Sequence, residues 1–173
     1  LLLSSAASDV YKRQVLGLRY FNVFGPGENH KEKMCSPVLH FFKQALKDRQ
    51  IKIFSGYDNF SNKDFKRDFI HVDDAVNLTI DAVNNENLFK KKLILNIGTG
   101  SCLSFNNIAE IVARKVSNLL GESIEISEIE FPESLKKGYQ QFTLASLDEC
   151  KKYDLVIDFL NYEEAINLSL IHI

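Results

Sequence analysis

Residues 15–23 form a near-continuous apolar run rich in aromatics, broken chiefly by Arg19 and Asn22. A run of this kind predicts a strand covered on both faces, as in parallel sheets flanked by helices. It stops at Gly25-Pro26-Gly27, a strong turn signal. A second such strand is predicted over residues 93–97, closed by Gly98-Thr99-Gly100. Helical patterns lie between and after the two. Ser36-Pro37 reads as an N-cap followed by the first helical residue, with Val38, Leu39, Phe42, Ala45 and Leu46 at helical spacing behind it. Ser104 reads as the cap of an amphipathic helix over residues 105–120, and Asp73 as the cap of one running to about residue 83. Shorter strands are expected at residues 51–54 and 69–72, with a polar loop from Ser55 to about Lys66 between them. Residues 123–131 alternate like a strand with one wetter face, and helical turns follow near Leu147 and Tyr162. Buried strands separated by helices predict an α/β fold.

The 173 residues suit one domain or a large piece of one. Apolar residues make up 45% and charged ones 25%, the balance of a soluble globular chain. Lys and Arg total 21 against 23 Asp and Glu, a net charge of −2 that disfavours a nucleic-acid binder. No apolar run is long enough to span a membrane. Cys35, Cys102 and Cys150 are odd in number and far apart, which argues against a disulfide framework or zinc module and for reduced thiols in the cytoplasm. Three Asn-x-Ser/Thr triplets, at Asn59, Asn77 and Asn167, are read as chance matches. The chain opens on Leu1 rather than Met. Residues 1–14 resemble translated adapter sequence, and residues 168–173 resemble the same artefact. Both are left out of the fold expectation, which covers residues 15–167, and His172 carries no functional weight.

Chemistry-bearing residues are scattered. Neither glycine turn continues to the third glycine of a GxGxxG dinucleotide loop. No Tyr is followed four residues later by Lys. Asp73-Asp74 suits a helix N-terminus better than a paired acid and base. Histidines and cysteines do not cluster as metal ligands would. Lys31 lies just past a buried strand and its turn, where α/β folds place ligands, though taken by itself it reads as a solvated lysine. His40 falls with Lys43, Gln44 and Lys47 on the polar side of its helix, where surface exposure is a better reading than ligand contact. Arg67 suits an anion clamp, or a surface ion pair with Asp64 or Asp68. Tyr139 sits in a Lys136-Lys137-Gly138-Tyr139-Gln140 loop, which reads as a phosphate contact or a hydrated turn.

Together, Arg19-Tyr-Phe-Asn-Val-Phe-Gly-Pro26, Arg67-Asp-Phe-Ile-His-Val-Asp-Asp74 and Asn96-Ile-Gly-Thr-Gly100 resemble the extended short-chain dehydrogenase/reductase superfamily of NAD-dependent epimerases and dehydratases. His30-Lys31 with Met34, Phe131-Pro-x-x-Leu135-Lys136, and Tyr139-Gln-x-Phe-Thr-x-Ala-x-Leu147 are similar to its ADP-L-glycero-D-manno-heptose 6-epimerases. The resemblance implies the C-terminal part of an extended Rossmann-type, doubly wound parallel sheet with a small mixed α/β substrate-binding domain. The activity it implies is an NADP-dependent isomerase inverting C6 of a nucleotide-activated heptose for the lipopolysaccharide core, working in the cytoplasm as a homopentamer. Carbon 6 has no adjacent carbonyl, so its C–H bond resists direct deprotonation. Transient oxidation to a 6-ketone and return of hydride to the other face inverts the centre, with the hydride carried by NADP.

By the same resemblance, Lys31 is one of two acid/base groups and also touches the cofactor, as does Val23. Asn22, His40, Phe54, Ser55, Gly56, Tyr57, Arg67 and Tyr139 match substrate contacts, chiefly around the ADP portion. No metal is implied. Lys33 and Tyr57 replace smaller residues of the family, and the loop over residues 58–66 is longer than in some members. The glycine-rich NADP loop and the YxxxK motif of the family would lie upstream of Val15, so the chain alone is expected to be inactive. A nucleotide-sugar 4-epimerase or 4,6-dehydratase of the same superfamily, and a non-catalytic binding module, are the competing readings.

Overall fold

The computed structural model describes residues 15–90, 93–156 and 158–171. The expectations for residues 1–14 and for His172 fall outside that range. Four pairs of strands and six α-helices make up the fold among the described residues. Strand β1 (Leu16–Tyr20) pairs in parallel with β6 (Leu93–Ile97), and β2 (Asn22–Phe24) in parallel with β5 (Phe69–His71). Strand β3 (Gln50–Phe54) pairs in parallel with β8 (Glu125–Ile129), while the short β4 (Lys66–Arg67) and β7 (Leu103–Ser104) run antiparallel. The helices are α1 (Pro37–Asp48), α2 (Val72–Asn84), α3 (Phe105–Leu120), α4 (Glu133–Lys136), α5 (Asp148–Lys152) and α6 (Tyr162–Ile171). The parallel pairs joined through helices are the expected α/β arrangement.

Residues 15–23 do not form the single strand that their apolarity predicts. The chain changes partner at Phe21: its N–H donates to the Ile97 carbonyl, whereas the N–H of Asn22 donates to that of Asp68. One run therefore yields two short strands bonded to different neighbours. Nor are the two apolar strands covered on both faces, since Ile94, which points away from Leu93, Leu95 and Ile97, is 52% exposed. Leu16 and Leu18 pack inward with Leu95 and Ile97, while on the opposite face Ile94 lies exposed.

Both Ser caps are as expected. Ser36 accepts from the N–H of Leu39 and Ser104 from that of Asn107. Helix α2 differs, because its cap is His71, whose Nδ1 accepts from the N–H of Asp73. Asp73 and Asp74 occupy its first turn, where the helix dipole favours negative charge. Asp74 turns inward and accepts from the N–H of Leu160. Helix α6 runs on through Ile171, with Ser169 buried and Leu170 against the core.

Two apolar cores result. One lies between α1, α3 and β3, around Val38, Phe42, Ile51, Ile53, Ile108 and Val112. The other lies between α2, β6 and α5, around Ile70, Leu78, Leu95 and Ile97. A third, aromatic cluster of Tyr57, Phe65 and Phe131 extends the first core beneath the loop after β3, with Phe54 and Tyr139 packed on it.

Candidate functional site

The turn after β2 is held by one buried carboxylate. Glu28, 5% exposed, accepts from the N–H of Gly25 at 3.1 Å and from the N–H and Oγ of Ser36, each at 2.8 Å. It thereby ties the strand end to the start of α1. Gly25 has φ of 151° and lies against Val72, whose Cγ1 would stand 2.6 Å from an added Cβ, so only glycine fits. Lys31 rides on the 3-10 segment Glu28–Met34, its side chain 41% exposed and its Nζ 3.6 Å from the Glu28 carboxylate. The next residue, Glu32, is held in the left-handed region at φ 48°, a conformation that non-glycine residues adopt only under local constraint.

This corner encloses a cavity of about 150 Å³ lined by Asn22, Val23, Glu28, Lys31 and Cys35 among others. Burial pushes the Cys35 thiol above its ordinary value, so it stays protonated and uncharged there. A larger cavity of about 380 Å³ adjoins it, with His40, Phe54, Phe65, Tyr139, Gln44 and Asn106 among its lining residues. Pro37, the first residue of α1, lines both.

Residues expected from the sequence thus divide into two groups. Asn22, Val23 and Lys31 meet in the small cavity; His40, Phe54 and Tyr139 meet in the large one. Arg67 joins the second group through Tyr139, its guanidinium carbon 5.3 Å from that ring's centre, while its Nη1 donates to Gln140 at 2.8 Å. The surface ion pairs weighed for Arg67 have other claims on their acids. Asp64 accepts from the N–H and Oγ of Ser61, and Asp68 faces inward. The Tyr139 ring is no hydrated turn; it packs on Phe65 and Phe131 at 5.5 and 4.9 Å between centroids. Burial raises its phenol above the ordinary value against the pull of Arg67, so it keeps its proton at neutral pH.

Ser55, Gly56 and Tyr57 stand behind the cavity rather than on its wall. The N–H of Ser55 donates to the carbonyl of Ile129. A Cβ on Gly56 would meet the Phe60 carbonyl oxygen at 2.0 Å, so the loop closes only over glycine. Tyr57, 9% exposed, is packed into the aromatic cluster, and its hydroxyl accepts from Gln141. Its bulk is absorbed by Phe65 and Phe131.

Two residues that sequence reasoning missed organise the site. Glu28 is one. Asp68 is the other, fully buried, accepting from the N–H and Oγ1 of Thr99, the N–H of Gly100 and the N–H of Ala145 at 2.8–3.0 Å. It pins the Gly98–Gly100 turn and the segment after Tyr139 beside Arg67. An acidic residue three before Lys31 on a tight turn, and an acid flanked by Arg67 and an apolar strand, were the available signals.

The glycine turns bear on cofactor binding. Backbone N–H groups of a dinucleotide loop must be open to a pyrophosphate. Here those of Gly25 and Gly100 are taken by Glu28 and Asp68. Neither of these two N–H groups is therefore open to a pyrophosphate.

Residues 2–98 match the family model described as the NAD dependent epimerase/dehydratase family. An ADP-L-glycero-D-manno-heptose-6-epimerase of Brachyspira hyodysenteriae is 39% identical over 153 residues, 88% of this chain and 44% of that protein. One from Alkalilimnicola ehrlichii is 36% identical over 158 residues, 91% of this chain and 47% of that protein. Among solved structures, the Helicobacter pylori ADP-L-glycero-D-manno-heptose-6-epimerase superposes with a TM-score of 0.69 at 26% identity, covering 91% of this chain and 43% of that one. A UDP-glucose 4-epimerase of Thermotoga maritima, at 19% identity, shares the fold with a TM-score of 0.76 over 99% of this chain and 49% of its own. The chain spans about half the length of the curated relatives it matches. With its strand-end turn, its parallel pairs and this match over residues 2–98, the chain belongs to the NAD dependent epimerase/dehydratase family.

Proposed function

We propose that this chain supplies the substrate-binding part, and one acid/base group, of an epimerase that inverts C6 of ADP-D-glycero-D-manno-heptose to the L-glycero form. The observation that carries the reading is the pair of adjoining cavities sharing Pro37, one holding Lys31 with Asn22 and Val23, the other walled by aromatic rings beside Arg67. A nucleoside diphosphate sugar needs this division: a flat apolar wall for the base, a fixed cation for the phosphates, and a small polar chamber for the reacting carbon.

In this reading Val23 and Lys31 hold the reactive end of NADP, which when bound supplies hydride transfer. Asn22 and Lys31 face the sugar, and Lys31 moves a proton at the C6 oxygen. Glu28 holds that lysine on its turn, and Asp68 holds the strand that carries Arg67. His40, Phe54 and Tyr139 seat the ADP portion. The cofactor's phosphates and the second acid/base group fall to residues beyond those described. A homopentamer in the cytoplasm belongs to the same reading. Among the described residues no helix is long and apolar enough to cross a membrane.

The test is turnover by a complete enzyme carrying this chain. Incubation with ADP-D-glycero-D-manno-heptose and NADP is expected to give the C6 epimer, resolved by proton NMR. Turnover of a UDP- or dTDP-hexose in place of the heptose would transfer the assignment to a 4-epimerase or 4,6-dehydratase, and binding without any turnover would leave a non-catalytic module.

A further inference from the structure

The chain after Tyr139 runs on from the aromatic cluster to Asn22. From Gln141 it lies extended beside β4: the N–H of Lys66 donates to the carbonyl of Gln141, and that of Thr143 to the carbonyl of Lys66. Side chains of an extended segment alternate. Phe142 and Leu144 stand exposed, while Ala145 is buried and Thr143 turns in toward Asp68. The N–H of Asp68 donates to the Thr143 hydroxyl at 3.2 Å. That hydroxyl has one proton of its own to give, and the acceptor it meets is Oδ1 of Asn22 at 3.4 Å, 121 residues away in sequence. Asn22 is tied at its backbone as well, its N–H donating to the Asp68 carbonyl at 3.1 Å. A side-chain amide has two ends. With Oδ1 turned to Thr143, the nitrogen and both its N–H groups form the end left to a ligand in the small cavity, which Asn22 lines with Lys31.

We propose that Thr143 is a positioning residue: its hydroxyl fixes the direction of the Asn22 amide, so that the amide meets the sugar already oriented in the chamber that holds Lys31. The last torsion of an asparagine is soft, and an amide at the surface turns about it freely unless something holds it. An amide held beforehand spares the substrate the cost of ordering it. Thr143 touches no substrate in this scheme and acts through Asn22 alone. Its task differs from that of Tyr139 and Gln140 on the same stretch, which pack on or bond to Arg67 beside the other cavity. The proposal rests on the nucleotide-sugar reading and deepens it, because the family resemblance assigns Asn22 to the substrate and gives Thr143 no role.

A mutant cycle in the complete enzyme carrying this chain tests it, reading kcat/KM for ADP-D-glycero-D-manno-heptose, the inhibition constant of ADP and a thermal melt. Thr143→Val is expected to lower kcat/KM about three- to tenfold, the worth of one hydrogen bond, with the ADP constant unchanged. Thr143→Ser keeps the hydroxyl and should recover the parent value. Asn22→Ala should lower kcat/KM at least as far, and the Asn22→Ala/Thr143→Val double variant no further than Asn22→Ala alone. If Thr143→Val does not melt cooperatively, Thr143→Ala takes its place, since the space it opens admits water to the Asp68 N–H. Additive losses, no loss on removing the hydroxyl, or no recovery with serine overturns the proposal. So does a fall in ADP affinity equal to the fall in kcat/KM, which would make Thr143 a support for the whole stretch carrying Tyr139 and Gln140. If the parent turns over a UDP- or dTDP-hexose in place of the heptose, the heptose reading falls alone and the same cycle on that sugar judges Thr143. No turnover of any nucleotide sugar overturns both.

Discussion

The two cavities meet at Pro37 but are built by opposite means. The small one is a corner of irregular backbone, with a glycine at φ 151°, a left-handed Glu32, and a 3-10 segment held to the sheet and to α1 by Glu28. The large one is walled by side chains from regular elements and backed by an aromatic cluster that fills with bulk. Directional bonds to a single carboxylate fix a position sharply but fail together when that carboxylate is lost. Packing yields gradually, because each ring keeps its other neighbours. The corner with Lys31 is thus precise and fragile, whereas the aromatic chamber is tolerant, as its acceptance of Tyr57 shows.

The strongest way to break this contrast is at Lys31. In the complete enzyme Lys31→Met is expected to lower turnover by about 10²–10⁴-fold with ADP affinity unchanged, since a positioned acid/base group contributes about that much. A loss below tenfold would return Lys31 to the role of a solvated lysine. Glu28→Ala comes next. It strands the N–H groups of Gly25 and Ser36, and should cost about 2–3 kcal/mol, read as a drop in urea midpoint with an unchanged slope. Tyr57→Phe, which removes one hydroxyl from the tolerant side, should cost under about 1 kcal/mol in the same assay. If the two variants melt alike, the contrast is wrong.

Arg67→Ala should weaken ADP binding by roughly tenfold, the order of a single charge-assisted contact, and leave the melt within a few degrees. Added salt should weaken the parent's ADP binding and leave that of the variant less affected. The smallest effect is expected at Asp74. Its burial raises the folded carboxyl above the ordinary 3.8. The folded state then binds the proton more tightly than the unfolded one, so stability declines as pH climbs from about 3.8 through the raised value and stays lower above it. Asp74→Asn keeps an acceptor for Leu160 and removes the buried charge. It should melt about 1–3 °C higher than the parent at pH 7, with the gain gone below about pH 3.5.

Local signals carried most of the helices. Ser36-Pro37 and Ser104 set the starts of α1 and α3 because a cap depends on residues within one turn. The partner switch at Phe21 was not legible, since it depends on which strands stand alongside and not on the apolarity of the run. His71 displaced Asp73 as cap for a similar reason: it sits at the end of a strand whose neighbour fixes where the helix begins. Among the expected site residues, those in family motifs line the two cavities or pack beside them. Glu28 and Asp68 do not stand out, because a carboxylate looks like surface until the N–H groups that hold it are known: those on Glu28 come from a turn and a helix cap, and one on Asp68 from Ala145, 77 residues away. The burial of Tyr57 and Phe65 was hidden in a loop that composition marks as polar.

Pro37 gives the site a gauge. Its ring has a locked φ and no N–H to rearrange, and it begins a helix whose cap is bonded to Glu28. The wall between the two chambers therefore cannot slide, and the span from aromatic wall to lysine is set by the frame rather than by the ligand. On the proposed reading, length becomes a selection criterion in its own right. The linker between base and sugar then has to match that fixed span, whatever the base and the sugar at its ends.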